Sequence, residues 1–291
     1  MSATAIALVL TAAVLHALWN IVAKKAGGDQ RFALIMSLQF MLLWAPVALI
    51  FGWNVVPHWG WAPWLMVTAS ALVHLGYFAA LLRGYRAADL TVVYPVARGT
   101  GPLLAVFAAM VLLGERLSLA AGLGVAAVVC GVFVLAGGPR LLQRAQAHDP
   151  RVLAGIGWGA LTGTMIAGYT VLDGYAVKVM LISPILVDYF GNVLRIPFLL
   201  PLALRDRAGF AATWRVQWKP ALIVAVLGPI AYVLVLYAVT MAPLSHVAPA
   251  REASMLVAAL LGGKLLGEGD RVARFAGALC IAGGVILLAL G

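Results

Sequence analysis

Charge is what this chain has least of. Only 10% of its 291 residues are Asp, Glu, Lys or Arg, where a soluble domain carries roughly a quarter. Hydrophobic residues reach 64% and the mean hydropathy is +1.03. These values exclude a water-soluble globule and point to a polytopic membrane protein. Acidic residues are scarcer still, ten against twenty basic ones, for a formal net charge of +10. The basic residues stand singly or in twos and threes between apolar runs. That is the pattern of loop-borne orientation signals, not of a nucleic-acid patch.

Cysteine is almost missing. Cys130 and Cys280 lie inside apolar runs without CxxC spacing, so they read as small apolar helix residues and not as a disulfide or metal framework. Catalytic signatures are missing as well: no HExxH, no GxSxG with triad partners, no P-loop and no Asp/Glu/His cluster at metal spacing. An enzyme, a cofactor and a nucleotide-driven pump are not expected. The N-terminus lacks a basic n-region and is followed by Lys24-Lys25, which reads as a first span and not as a cleaved signal.

What is present is a series of apolar runs. A hydrocarbon core about 30 Å thick needs about twenty mostly apolar residues per helix. Such runs lie near residues 3–23, 32–52, 62–83, 91–113, 118–137, 152–172, 183–204, 219–240, 245–266 and 272–290. The longest polar stretch, 139–151, separates a first five-span unit at 1–138 from a second at 152–291. The fold class expected is an all-α integral membrane protein of ten transmembrane helices, built as two inverted five-helix repeats around a central cavity.

The repeat is written in the residues. Ala97-Arg98 recurs 153 positions later as Ala250-Arg251, and the match runs ungapped to Leu-Leu-Gly-Glu at Leu112–Glu115 and Leu265–Glu268. Eight of those nineteen positions are identical. Gly124 and Gly131 match Gly277 and Gly284 at the same spacing, and Trp19 matches Tyr169 at a spacing of 150. Five is odd, so two joined copies cross the membrane in opposite senses. Loop charge agrees. Fifteen Lys and Arg flank the loops after the odd-numbered spans, while only Arg116 and Lys178 flank the others. The bias therefore flips between the copies, as inversion requires, and places both termini outside the cytoplasm.

Small residues prepare close helix approach. Gly155, Gly159 and Gly163 form a GxxxGxxxG ridge in the sixth span, and Ala-rich runs line the fifth and tenth. Pro95 and Pro249 sit near the start of the repeated spans, with Pro102, Pro197, Pro201 and Pro229 elsewhere. Proline removes a backbone donor and opens a carbonyl, so kinked or unwound helices are expected there.

Charge at membrane depth costs about 2.5–3.5 kcal/mol on the lenient insertion scale. Arg98, Asp188, Arg195, Arg251 and Glu252 therefore need a partner, a cavity or a ligand. Asp188, Asn192 and Arg195 share one stripe of the seventh span, and Tyr94, Arg98 and Gly101 one of the fourth. His16 with Asn20, His74 with Tyr77, Pro229 with Tyr232, and Arg251 with Ser254 form shorter stripes. Facing lipid would leave these groups unsolvated, so they converge on the interior. Two readings stand for Arg98 and Arg251: ion pairs with Asp188 or Glu252, or cavity lining. His16 and His74 read as packing histidines or as proton carriers. Trp53, Trp59, Trp61 and Trp64 cluster at one short loop as an interfacial belt. Glu115, Glu268 and Lys264 fall at span ends, where loop capping accounts for them.

Tyr94-Pro95-Val96-Ala97-Arg98 through Leu113-Gly114-Glu115-Arg116, with Ala248-Pro249-Ala250-Arg251-Glu252 through Leu266-Gly267-Glu268, resembles the drug/metabolite transporter superfamily, in particular its EamA-type branch. The resemblance covers the whole chain. It implies ten helices around a central cavity lined by the first, third and fourth spans of each half, with alternating access. By position it carries a substrate-site role onto Trp19, Asn20, Tyr77, Tyr94, Arg98, Tyr169, Tyr232, Arg251 and Ser254, to which the stripes add His74 and Asn192. It also implies both termini in the cytoplasm, opposite to the loop charges.

The function expected is a secondary transporter in a bacterial inner membrane, exporting a small polar, anionic or zwitterionic, amino-acid-like solute. Three arginines against two carboxylates leave the interior net positive, and Arg is suited to bidentate capture of carboxylates. Asp188 and Glu252 are read as the only carboxylates well inside spans, hence as proton-coupling candidates. A multidrug exporter of aromatic cations is the main alternative, followed by a lipid flippase subunit or a membrane-embedded enzyme. The partners expected are the solute and the bilayer, with a monomer or homodimer and no nucleic acid. Arg98, followed by Gly-Thr-Gly, is expected to be free, and Arg251, next to Glu252, already paired.

Overall fold

In the computed structural model, which describes residues 1–27, 29–135, 138, 149–261 and 271–291, the regular structure is helical throughout. The first half holds α1 (Ala3–Ala26), α2 (Gln30–Gly52), α3 (Trp61–Ala87), α4 (Leu90–Leu112) and α5 (Leu119–Leu135). The second holds α6 (Pro150–Lys178), α7 (Pro184–Val193), α8 (Ile196–Arg205), α9 (Arg207–Met241), α10 (Leu244–Ala250), α11 (Ala253–Leu261) and α12 (Arg271–Leu290). The pairs α7–α8 and α10–α11 are each one span in two pieces, so these twelve helices make ten spans. Seven stretches, counting α7–α8 as one, are long and apolar enough to cross a bilayer. Lys264, Glu268 and most of the 139–151 stretch lie outside the described residues.

Helix starts follow from the few acidic residues. Asp29 accepts from Arg31 N at 2.8 Å, Asp149 from Arg151 N at 2.9 Å and Asp206 from Gly209 N at 2.9 Å, capping α2, α6 and α9. All three lie in the basic-loop layer. α6 runs on to Lys178, past the apolar run that ends near 172, and α9 begins at Arg207, before the run at 219.

Packing obeys the duplication. α3 packs along α6, and its counterpart α9 packs along α1; α4 packs on α6, and α11 on α1. The equivalent helices α5 and α12 pack on each other. A Cβ on Gly124 would meet Gly284 O at 2.9 Å, and one on Gly131 would meet Gly277 O at 2.6 Å. Residue numbers rise along α5 as they fall along α12, so the two are antiparallel. Since they are copies of one another, the halves are inverted. The GxxxGxxxG ridge serves a parallel contact instead. Gly155, Gly159 and Gly163 face Val92, Val96 and Thr100 in turn, with Val93 O at 2.9 Å and Ala97 O at 3.0 Å from the latter two Cβ positions. Small residues let these backbones meet where lipid supplies no hydrophobic pressure.

Two spans break, and an arginine stands at each break. α7 stops at Val193 and α8 resumes at Ile196, leaving Leu194 and Arg195 between them. α10 stops at Ala250 and α11 resumes at Ala253, leaving Arg251 and Glu252. Pro197 and Pro249 each stand two residues from the arginine and withhold an N–H from the ladder. The backbone tightens locally: Arg195 N donates to Asn192 O at 3.2 Å and Glu252 N to Pro249 O at 2.9 Å. Of the kinked or unwound helices expected at the prolines, the fourth span is not unwound, since α4 is continuous through Pro95 and Pro102. The Asp188–Asn192–Arg195 stripe is corrected too, because Arg195 lies beyond the end of α7.

Candidate functional site

α3, α6 and α9 bring four rings together. His74 stacks on Tyr169 with centroids 3.8 Å apart and planes 20° apart. Tyr232 stands edge-on to both, at 6.1 Å from His74 and 6.5 Å from Tyr169. Tyr77 meets Tyr169 edge-on at 5.9 Å. These edge contacts suit the ring quadrupoles. His74 Nδ1 lies 3.0 Å from the carbonyl of Ser70, an acceptor. Nδ1 therefore carries a proton and donates to that carbonyl.

Below the rings lies a residue that sequence reasoning missed. Asp173 is 2% exposed, and its Oδ2 accepts from the Tyr232 hydroxyl at 2.5 Å. The apolar pattern of the sixth span continues through Ala176-Val177 before Lys178, and four residues separate Asp173 from Tyr169, one helical turn. That continuation was the available signal. Asp188 and Glu252 are thus not the only carboxylates inside the spans. The interior holds three arginines and three carboxylates among the described residues, so the expectation of a net positive interior is overturned.

A second cluster joins the two halves. Arg98 Nη1 donates to Glu252 Oε2 at 3.3 Å and to Oε1 at 3.4 Å, and its guanidinium lies 5.5 Å from the Tyr94 ring centre. The Arg98 side chain is 17% exposed and that of Glu252 is 1% exposed. Arg251 is 6% exposed, yet among the described residues its Nε finds no hydrogen-bond partner, and Arg195 Nε finds none either. The expected roles are therefore reversed: Arg98 is the paired arginine, and Arg251 has the unpartnered nitrogen. Arg98 lies one span away from Glu252 across the interface, whereas Arg251 sits beside it in a tight turn. Both Arg195 and Arg251 lie within electrostatic reach of Tyr169, Tyr232 and Asp173.

Other expected site residues stand differently. Asn192 Nδ2 donates to Asp188 Oδ1 at 2.9 Å and to Asp188 O at 2.9 Å, so the amide is turned onto its own helix. Asn20 Nδ2 likewise donates to His16 O at 2.7 Å. Trp19 meets the His16 ring edge-on at 4.8 Å, and its Nε1 has no hydrogen-bond partner among the described residues. Ser254 is buried in the first turn of α11. Asp188 also lines a cavity of ≈ 180 Å³ between α2, α7 and α9, whose other walls include Phe40, Trp44, Pro229 and Tyr237. That cavity lies to the side of the ring cluster, not at the Arg98–Glu252 pair.

At one membrane face the halves are latched. Glu115, in the turn after α4, accepts from Leu244 N at 2.8 Å, Ser245 N at 2.8 Å and Lys178 Nζ at 2.9 Å. Lys178 Nζ also donates to Ala242 O at 3.2 Å. The carboxylate thereby caps the first turn of α10 from the opposite half, the role expected of it. Burial opposes its ionisation, but the N–H groups of Ser245 and Leu244 and the Lys178 ammonium outweigh this and hold the carboxyl below its usual range.

The sequence profile of the EamA-like transporter family matches residues 3–137 and again 153–290. The chain belongs to the EamA-like transporter family. One solved structure, described only as a crystal structure of a protein, aligns with this EamA-like transporter at a TM-score of 0.76 and 19% identity. The alignment covers 100% of this chain and 98% of that one, which establishes a shared fold. No curated protein matches the sequence. As an EamA-like transporter the chain is a multi-pass membrane protein that carries a small solute.

Proposed function

We propose that the protein is a secondary transporter which exports a small zwitterionic, amino-acid-like metabolite by alternating access. The observation that carries this reading is the balance of three arginines inside the spans, Arg98, Arg195 and Arg251, against three buried carboxylates, Asp173, Asp188 and Glu252, beside the rings of His74, Tyr77, Tyr169 and Tyr232. A neutral solute with one charge of each sign leaves that balance intact, whereas a net charge would have to be desolvated without compensation. Arg251, with an unpartnered Nε at a helix break, is the carboxylate-binding group. Trp19, Asn20, Tyr94, Arg98, Asn192 and Ser254 line the path around it. The units 1–138 and 152–291 move against each other, and Asp188 and Glu252 are candidate proton-coupling groups.

The experiment is counterflow in proteoliposomes loaded with individual amino acids. Protein-dependent exchange that Arg251→Gln abolishes supports the reading, and equal exchange by parent and variant overturns it. The ring cluster beside a carboxylate favours one other reading, export of aromatic cations. Competition between an amino acid and tetraphenylphosphonium in the same vesicles separates the two.

A further inference from the structure

We propose that Asp173, with the ring faces of His74, Tyr169 and Tyr232, forms a subsite for the ammonium group of the transported solute. The inference rests on the zwitterion reading above and names the group that meets its positive end.

The starting observation is an incomplete carboxylate. Asp173 is 2% exposed, Tyr232 satisfies Oδ2, and Oδ1 has no hydrogen-bond partner among the described residues. The Ser70 hydroxyl lies nearby without meeting Oδ1 in hydrogen-bonding geometry. One turn back on the same side of α6, Thr170 Oγ1 is buried and equally without a partner. A buried carboxylate oxygen without a well-formed hydrogen bond forfeits those it had in water, and an ammonium supplies three donors. Oδ1 and Thr170 Oγ1 are two acceptors on one helix face, a set that suits such a group.

The surroundings fit a cation better than a second anion. Tyr232 and the face of Tyr169 turned away from His74 are π-surfaces, and His74 directs its Nδ1–H to the Ser70 carbonyl. Tyr232 acts as a positioning residue, since its hydroxyl fixes the carboxylate and leaves Oδ1 as the open oxygen. Arg251, within electrostatic reach of both tyrosines, stands where a carboxylate on the same solute would be met. The two charged ends of an amino acid would then straddle the Tyr169–Tyr232 pair.

The test uses the full-length protein in nanodiscs and follows thermal stabilisation by each of the twenty common amino acids and its N-acetyl derivative. At least one free amino acid should stabilise the parent, and its N-acetyl derivative should bind about ten- to hundred-fold more weakly. Asp173→Asn should weaken the free amino acid by a similar factor and leave the N-acetyl derivative unchanged. Equal binding of the free amino acid by parent and Asp173→Asn overturns the subsite while the transport reading stands. If Asp173→Asn does not fold, the parent decides alone, because an N-acetyl derivative that binds as well as the free amino acid overturns the subsite. No stabilisation by any amino acid overturns the zwitterion reading and this inference with it.

Discussion

Arg98 in α4 donates to both carboxylate oxygens of Glu252, at 3.3 and 3.4 Å, across the boundary between the two halves. The two residues descend from neighbouring positions of the repeat, yet neither pairs with its own copy. Glu252 is almost wholly buried while Arg98 keeps an exposed edge. Breaking this pair therefore leaves the glutamate, not the arginine, in the worse position.

From that asymmetry follows the first prediction. Arg98→Ala should destabilise the protein by about 3–5 kcal/mol, because it strands a buried carboxylate. Adding Glu252→Gln should restore most of the melting temperature without restoring solute flux. Equal melting temperatures for the single and double variants would show that the pair carries no coupling.

Glycine contacts between α5 and α12 give the second. A Cβ at position 131 would fall 2.6 Å from the Gly277 oxygen, and the backbone cannot yield cheaply there. Gly131→Val should lower stability by about 1–3 kcal/mol. Gly283→Ala, on α12 but turned away from the seam with nothing within 4 Å of the added carbon, is the matched control and should be neutral or slightly stabilising. Melting curves in one detergent distinguish the two.

Glu115 yields a pH dependence. Its folded pKa is depressed, so its contribution is fully present above the unfolded value of about 4.3 and is lost as pH falls through the folded value. The parent should be more stable than Glu115→Gln near neutral pH, and the two melting temperatures should converge on acidification. Parallel curves across the whole range would show that the carboxylate's charge is not what caps α10.

Orientation is open to a direct measurement. Fifteen of the twenty Lys and Arg flank the loops of one face, and positive-inside assigns that face to the cytoplasm. A C-terminal alkaline phosphatase fusion should be active and a green fluorescent protein fusion dark. The opposite pair of results would place the termini, with the Glu115–Lys178 latch, on the cytoplasmic side.

The spans, the duplication and its inversion were legible in the sequence because each rests on a sum over many residues. Gly124, Gly131, Gly277 and Gly284 marked the repeat through one fixed spacing, while the seam they form appears only in the fold. Pairing was legible only as an open choice, Arg98 or Arg251 with Asp188 or Glu252, since the partner depends on which side chains meet across the interface. Adjacency joined Arg251 to Glu252, whereas tertiary packing joins Arg98 to Glu252. Asp173 escaped for a different reason: hydropathy falls toward Lys178, so the helix continues where the apolar signal fades. Proline was an ambiguous sign. Pro249 and Pro197 accompany breaks, while Pro95 and Pro102 are absorbed into a continuous helix.

The α5–α12 seam has a bearing on history. Gly124 meets Gly284, the copy of Gly131, and Gly131 meets Gly277, the copy of Gly124. Such reciprocity is the mark of an isologous interface, the kind a two-fold homodimer must have. A single five-span ancestor inserted in both orientations would have made the same contact between separate chains. Fusion then freed each half from having to match itself, so that one position could hold Gly99 in the first copy and Glu252 in the second. A two-fold homodimer would make such a charge pair twice, whereas this transporter, with Gly99 opposite Glu252 in the repeat, makes it once.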